Sequence, residues 1–330
     1  MEKIERHLTV IAVRSARGFS LIELMISIAI GLMIIAGLVG VVTSNTRNSQ
    51  TNERTAELQE NGRYAMTHLQ TQLRHADFRG YTWVLPNTST VSVTNECLTG
   101  GAAAGSFINK ISQGVWGAND SNPFAANCLA GGYVQGDVLV VRRVATAALT
   151  AGALVANNLY FRSTFTKGEM FQASAGQLAT AGAPQNVDGS SFGEPLADFL
   201  VQQYVYYIGQ GDCNGGGDAN QNALCRLALQ GNTFVKELVV NGIEQLQVQY
   251  GRTPFGSNTT QFYNADQITS DADWEDVSSV RISLLSINSK AESGYSNGTS
   301  YSLGDWNNTF NDSFRRQVFT TTVQLRNFHE

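Results

Sequence analysis

The chain opens with a long apolar segment. Phe19 to Val42 is a run of 24 residues in which Glu23 is the single charged side chain. As an α-helix this run measures about 36 Å, which is enough to cross a hydrocarbon core of about 30 Å. The pattern therefore predicts a membrane-spanning helix over residues 19–42.

The apolar positions then take a helical period. Residues 43–57 are mostly polar but contain neither Pro nor Gly, and from there small or apolar side chains recur at steps of four and three. This spacing is typical of one face of an amphipathic helix. We expect the helix to continue over residues 43–80, to end near Phe78 with Gly80 as its stop, and to pack this face on a sheet. The face consists of Leu58, Gly62, Ala65, Leu69, Leu73 and Ala76.

Beyond Gly80 the period shortens to two, as in β-strands. The predicted fold class is therefore α+β: a long N-terminal α-helix, with a membrane half and an amphipathic half, packed on one β-rich globular domain over residues 81–330. Long polar loops are expected near 97–128, 163–195, 209–222 and 251–274. The predicted strands are Asp137–Val144, Leu154–Arg162, Phe199–Ile208, Leu224–Leu229, Ile243–Tyr250, Val277–Ile287 and Gln317–Leu325.

Charge supplies a direction across the membrane. Only 15% of the residues are charged, against about 25% in typical soluble domains. Residues 1–18 hold four Lys or Arg and two Glu, so the positive-inside rule puts this segment in the cytoplasm and the rest of the chain outside it. The remainder is acidic, and without a basic patch nothing in the chain indicates nucleic-acid binding.

Glu23 argues against two simpler interpretations of the apolar run. A cleaved secretory signal has a shorter apolar region without an acid and ends at a site of small residues, whereas Ser44-Asn45-Thr46-Arg47 follows here. A plain single-span anchor fits the length but leaves the acid unexplained. A charge at this depth costs a few kcal/mol or more and by default indicates a functional site.

The segment Arg17-Gly18-Phe19-Ser20-Leu21-Ile22-Glu23 resembles the class III prepilin signal of type IV pilins and type II secretion pseudopilins. The resemblance implies that residues 1–18 are a leader, cut between Gly18 and Phe19 by a membrane peptidase that also methylates the new Phe19 amine. It also implies that Glu23 directs assembly by pairing with the Phe19 ammonium of a neighbouring subunit. Such an ion pair is favourable in a low dielectric only when both charges are matched.

Further segments resemble the PilW family of minor pilins, and together they span the chain. They are Gly62-Arg63-Tyr64-Ala65, Leu73 to Tyr81, Val239 to Gly251, Val280 to Leu285 and Arg315 to Asn327. The resemblance implies a pilin-like fold and a structural role: a minor pilin that enters the type IV pilus and promotes assembly initiation or tip formation. Gly40 stands where major pilins often have a kinking Pro. A minor pseudopilin of a type II secretion system is the closest alternative, and a membrane-tethered periplasmic enzyme or binding module is a more distant one.

The resemblance also implies partners and a location. The partners are other minor pilins, the major pilin, in many systems a large tip adhesin, the prepilin peptidase and methyltransferase, and the inner-membrane assembly platform. The helix lies in the bacterial inner membrane with the globular domain in the periplasm, until the subunit joins a pilus at the cell surface.

Four cysteines, Cys97, Cys128, Cys213 and Cys225, lie beyond the membrane segment. An even number in an oxidising compartment favours two disulfides, and three connectivities are possible. The sequential pairing closes the shortest loops. A zinc site is the rival interpretation, but the spacings are far from paired C-x-x-C.

Other clusters give weak signals. Asp212, Asn214, Asp218 and Asn220 resemble a calcium loop without meeting the EF-hand spacing, so a solvated, disulfide-closed loop is the better interpretation. The acidic residues around Trp274 (Asp271, Asp273, Glu275 and Asp276) predict an exposed loop rather than a hydrolytic pair. No His occurs between residues 81 and 328, which excludes a Ser-His-Asp or Cys-His arrangement within the domain. His68 and His75 are expected to be solvated. We therefore predict a non-enzymatic protein without a metal or cofactor.

Overall fold

The first element of the described structure is a 54-residue helix, α1 (Leu21–Arg74). The structure is a computed structural model, and it describes residues 18–82, 91–149, 154–173, 197–216, 221–253, 257 and 259–327. The chain divides into two compact units, Met1–Glu53 and Arg54–Glu330. The second unit, called the body below, therefore includes the end of α1 as well as the sheets. The functional boundaries at residues 18, 42 and 80 stay predictions.

Helix α1 ends earlier than the predicted Phe78. Asp77 takes a left-handed conformation, with φ of 62°, and its backbone N–H donates to the Arg142 carbonyl at 2.9 Å. The Val144 N–H likewise donates to the Phe78 carbonyl at 2.8 Å. The helix ends here because the backbone groups of Asp77 and Phe78 bond to the strand that contains Arg142 and Val144. Gly80 is left-handed as well, so it shapes the turn after the helix.

The described part of the body is built mainly from antiparallel strands. The strands are β1 Val115–Ala118, β2 Tyr133–Val144, β3 Leu159–Ser163, β4 Gly168–Gln172, β5 Ala197–Gln210, β6 Asn222–Gln230, β7 Thr233–Asn241, β8 Ile243–Arg252, β9 Gln261–Tyr263, β10 Val277–Ile287, β11 Ser300–Leu303, β12 Trp306–Thr309 and β13 Arg316–Gln324. A 3-10 turn (Ala265–Gln267) and a short helix, α2 (Asp271–Glu275), follow β9. A seven-stranded sheet has the order β1-β2-β5-β3-β4, and in it β6 also pairs with β5 and β7 with β6. A four-stranded sheet has the order β13-β10-β8-β9, and β11 pairs with β12.

Each predicted strand coincides with or overlaps one of these, and Val277–Ile287 has the predicted bounds. The loop predictions were partly wrong. β1 lies within the expected 97–128 loop, β4 within 163–195 and β9 within 251–274. These strands are only three to five residues long, too short to show a period of two above the surrounding polar residues.

Two apolar cores lie on opposite faces of the seven-stranded sheet. Along β2, Leu139 and Val141 join a core with α1 and the four-stranded sheet, whereas Val138 and Val140 join a second core with the loop carrying Cys97 and Cys128. Successive side chains of a strand point to opposite faces, so one apolar run in the sequence supplies both cores.

All six residues of the predicted helix face are buried. Leu69 and Leu73 are fully enclosed in the first core with β-strand residues such as Leu246. Polar contacts hold the same face, because the Ser286 hydroxyl donates to the Leu58 carbonyl at 3.0 Å and Gln70 Nε2 donates to Thr321 Oγ1 at 2.9 Å. The part of α1 from Leu58 onward is therefore an integral part of the second unit.

Candidate assembly surface

The Glu23 side chain caps the N-terminus of α1. The helix begins at Leu21, so Ser20 is the N-cap and Glu23 the third helical residue. Glu23 Oε2 accepts a hydrogen bond from the Ser20 backbone N–H at 3.0 Å. This is half of a capping box, the S-x-x-E pattern that satisfies backbone donors left without partners at a helix start. Ser20 and Glu23 have this spacing in the sequence, but the prediction gave Glu23 only the role of pairing with a neighbouring subunit.

From Phe19 to Val42 the described segment exposes its apolar side chains on every side. The helix passes by length and composition as a membrane span, with a mean hydropathy of 2.7 in its most apolar window and none of that window buried. An apolar helix surface exposed all round is stable only inside a membrane or among other helices. The large exposed side chains are Phe19, Leu21, Ile22, Leu24, Met25, Ile26, Ile28, Ile30, Leu32, Met33, Ile34, Ile35, Leu38, Val39, Val41 and Val42.

Three hydroxyl groups in or next to this segment are satisfied within the helix. Ser27 donates to the Glu23 carbonyl at 2.7 Å, Thr43 to the Val39 carbonyl at 2.8 Å and Thr46 to the Val42 carbonyl at 2.9 Å. Such bonds to the residue four positions earlier remove the cost of an unpaired hydroxyl in hydrocarbon. These three hydroxyl groups are thus compatible with an apolar surrounding.

Gly18 and Phe19 precede the first helical residue, outside the hydrogen-bonded backbone of α1. Phe19 is 85% exposed, and a Cβ built on Gly18 would meet nothing within 4 Å. Residues 1–17 lie outside the described residues. Cleavage between Gly18 and Phe19, and the methylation of Phe19, stay predictions.

His68 was wrongly expected to be solvated. It is half-buried, with Nε2 3.0 Å from the Tyr206 hydroxyl and its ring stacked on Tyr64. Burial, and next the nearby Arg226, lower the pKa of His68 to about 4. His75 lies at the end of the helix, with Nδ1 2.9 Å from the Thr71 carbonyl oxygen.

The structure joins Cys97 to Cys128 and Cys213 to Cys225, which is the sequential pairing. In the loop that weakly resembles a calcium site, Asp212 Oδ1 accepts backbone N–H groups from Asn214 and Gly216 at 3.1 and 3.2 Å. Its other members, Asp218 and Asn220, lie outside the described residues. Among the described residues, no three His, Cys, Asp or Glu side chains are grouped so that they could hold a metal ion.

The acidic segment around Trp274 is the short helix α2 rather than the expected exposed loop. Trp274 is buried in the first core. Asp273 pairs with Arg252, and Asp271 accepts from Lys110 Nζ at 2.7 Å. Asp271 and Asp273 therefore form ion pairs that attach α2 to the rest of the body.

Comparison with known proteins gives two family matches. Residues 13–39 match the prokaryotic N-terminal methylation motif, and residues 205–327 match the type IV pilus-assembly protein W family. No curated protein sequence matches the chain. A type IV-like pilin from Thermus thermophilus is similar over 80% of this chain and 93% of its own, with 15% identity and a TM-score of 0.33, a score too low to establish a common fold.

The two family matches cover the two regions where the sequence resemblance is densest. The first includes Gly18, Phe19 and Glu23, and the second runs from within β5 to just beyond β13. The chain thus combines a segment similar to the N-terminal methylation motif with a segment similar to the PilW family, in a structure made of a long N-terminal apolar helix followed by a β-rich body.

Proposed function

We propose that the chain is a minor pilin, which enters the type IV pilus through the exposed half of α1 and promotes assembly initiation or tip formation. The observation that carries the proposal is the combination of a prepilin methylation motif with an apolar helix surface exposed on all sides. Such a surface requires a membrane before assembly and neighbouring helices after it. The PilW match supports a role in the pilus.

The proposal gives the protein two locations in succession. Before assembly, α1 lies in the inner membrane and the disulfide-bonded body in the periplasm, where disulfides persist. After removal of residues 1–18, the subunit joins other minor pilins and the major pilin, with a tip adhesin as a further partner. The peptidase and the assembly platform are transient partners. The role is structural, because the proposed work is done by contacts between helices.

In this proposal Glu23 has two separable tasks. Its carboxylate closes the helix by accepting the Ser20 N–H, and its charge pairs with the Phe19 ammonium of a neighbouring helix. Gln also serves at the third position of a capping box, so Glu23→Gln removes the charge while keeping an acceptor. Glu23→Val removes both.

Recovery of these variants in sheared surface fibres tests the proposal. We expect Glu23→Gln and Glu23→Val to be processed and inserted like the parent but to be several-fold depleted in fibres. Glu53→Gln is the matched control, since it makes the same change on the same helix beyond the apolar segment, and it should be recovered normally. Normal recovery of Glu23→Gln would show that the charge does not direct assembly.

Deletion of the gene separates the pilus from the secretion system. We expect the loss of surface fibres with secretion of folded enzymes intact. Loss of secreted enzymes with normal fibres would identify a pseudopilin instead.

A further inference from the structure

A small cavity opens in the body beside the second core. Its volume is about 130 Å³, and aromatic rings, the Cys97 disulfide and two cationic side chains line it. For scale, an engineered apolar cavity of about 150 Å³ binds benzene. The lining residues used below are Phe107, Phe124, Trp116, Arg142, Lys110 and Gln113.

The apolar wall is shaped by three rings. Phe107 and Phe124 meet edge to face with centroids 5.5 Å apart, and Trp116 lies 5.7 Å from Phe124. Phe124 is fully buried and Phe107 nearly so. Flat apolar walls of this kind favour a flat apolar group, because stacked or edge-to-face rings add to the gain from burial.

The polar side of the cavity is a buried cation. Arg142 is 2% exposed, with Nη1 donating to the Gln113 carbonyl at 3.2 Å and its guanidinium 4.5 Å from the centre of the Phe107 ring. Among the described residues, no carboxylate makes an ion pair with it, and its Nε is buried without a hydrogen-bond partner. Asp271 acts on Arg142 through space but forms no ion pair with it. A buried charge without a directly bonded counter-charge is unfavourable, so the site gains from an anion.

The other polar groups at the cavity pair with each other. Lys110 and Gln113 Nε2 both donate to Asp271 Oδ1, at 2.7 and 2.9 Å, and these bonds lower the pKa of Asp271. Asp271 is therefore bonded directly to Lys110 and Gln113, and it offsets the Arg142 charge only in part, through space. Burial lowers the pKa of Arg142 to about 9, so the guanidinium still carries its proton at neutral pH.

The loop that carries this wall is held in place before any ligand arrives. The buried Glu96 carboxylate accepts backbone N–H groups from Gly105, Phe107 and Ile108 at 2.6, 3.0 and 3.0 Å. The Cys97–Cys128 disulfide closes the same region. A site whose walls are already ordered loses little conformational entropy on binding.

We propose that this cavity binds a small aromatic carboxylate, with the ring among Phe107, Phe124 and Trp116 and the carboxylate on Arg142. The planar guanidinium presents donors that match the two oxygens of a carboxylate. The cavity volume limits the body of the ligand to about one ring.

Titration of the full-length protein in detergent with benzoate tests the proposal, with benzamide as the uncharged probe of the same shape. We expect saturable benzoate binding and binding of benzamide weaker by about ten-fold or more, since a hydrogen bond to a charged group contributes about 1.5–3 kcal/mol. Absence of saturable benzoate binding would overturn the proposal. Equal binding of both probes would overturn the role of the charge.

Three variants locate the site. Arg142→Met removes the charge and Ala102→Leu fills the cavity from its lining, so each should weaken benzoate binding by about ten-fold or more. Arg143→Met is the matched control: Arg143 is the next residue on β2, bonds to Gln72 on α1 and lies over Tyr204, and its loss should leave binding unchanged. Ala102→Leu retains Arg142 and keeps the test decisive if Arg142→Met does not fold. Parental binding by a folded Ala102→Leu or Arg142→Met variant would refute this location.

Discussion

The close approach of α1 to the four-stranded sheet depends on the absence of a side chain at Gly62. A Cβ added there would lie 2.1 Å from the edge of the Phe319 ring on β13, whereas ordinary contact begins at 3.4 Å. The ring or the helix must therefore retreat by about 1.3 Å to accept Gly62→Ala. Overpacking of this kind costs about 1–3 kcal/mol.

Helix propensity acts in the opposite direction. Ala in place of Gly stabilises a helix interior by about 1 kcal/mol. We therefore expect Gly62→Ala to lower the free energy of unfolding by up to about 2 kcal/mol, because the steric term exceeds the propensity term. An exposed glycine in a helix would instead give a gain of about 1 kcal/mol.

Urea unfolding of the full chain in detergent, followed by tryptophan fluorescence, measures the effect, since Trp274 is buried in the same core. Phe319→Leu is the matched second variant. If the two side chains collide, Gly62→Ala should be less harmful in the Phe319→Leu background, with a coupling energy of about 1 kcal/mol. A stabilising Gly62→Ala, or a coupling energy near zero, would refute the close packing of α1 on β13.

Two further predictions concern stability. Burial gives His68 a pKa of about 4 in the folded protein, below its ordinary 6.5, so between these pH values the unfolded chain binds more protons than the folded one. The contribution of His68 to stability should therefore be complete above pH 6.5 and be lost as the pH drops toward 4. The expected loss of unfolding free energy is about 1–2 kcal/mol, reduced for solvent screening because the side chain is only half-buried. His68→Gln should reduce this difference between urea midpoints at pH 7.5 and 4.5, and an unchanged difference would contradict the assignment. Replacing Cys213 and Cys225 together with Ser opens a 12-residue separation and should cost about 3 kcal/mol of unfolding free energy, measured by the same assay; an unchanged midpoint would show that the bridge does not restrain the unfolded chain.

Long periodic segments were predictable because burial imposes the period directly. The apolar face from Leu58 to Ala76 is buried as predicted, and β10 has the predicted bounds because most of its residues are buried. The strand β7 escaped prediction because it lies at an edge of its sheet, pairs with β6 alone among named strands, and carries Lys236 and Glu237 in its centre. A half-exposed edge strand has no continuous apolar pattern.

The remaining misses arise from contacts between residues distant in sequence. α1 ends at Arg74 because Asp77 bonds to Arg142 on β2, a partner that the local sequence does not reveal. His68 is half-buried because β5 brings Tyr206 against it. The cavity of the further inference likewise joins Phe107, Phe124 and Arg142 from three parts of the chain. In contrast, the Ser20–Glu23 cap is local and was readable from the S-x-x-E spacing.

The most direct measurement of the central claim is the intact mass of this chain recovered from purified, sheared surface fibres. The account predicts that the protein is present there as a chain beginning at Phe19 with one added methyl group and two disulfides. Recovery of the protein only from membranes, or a mass that retains residues 1–18, would contradict the claim that it is a processed pilus subunit.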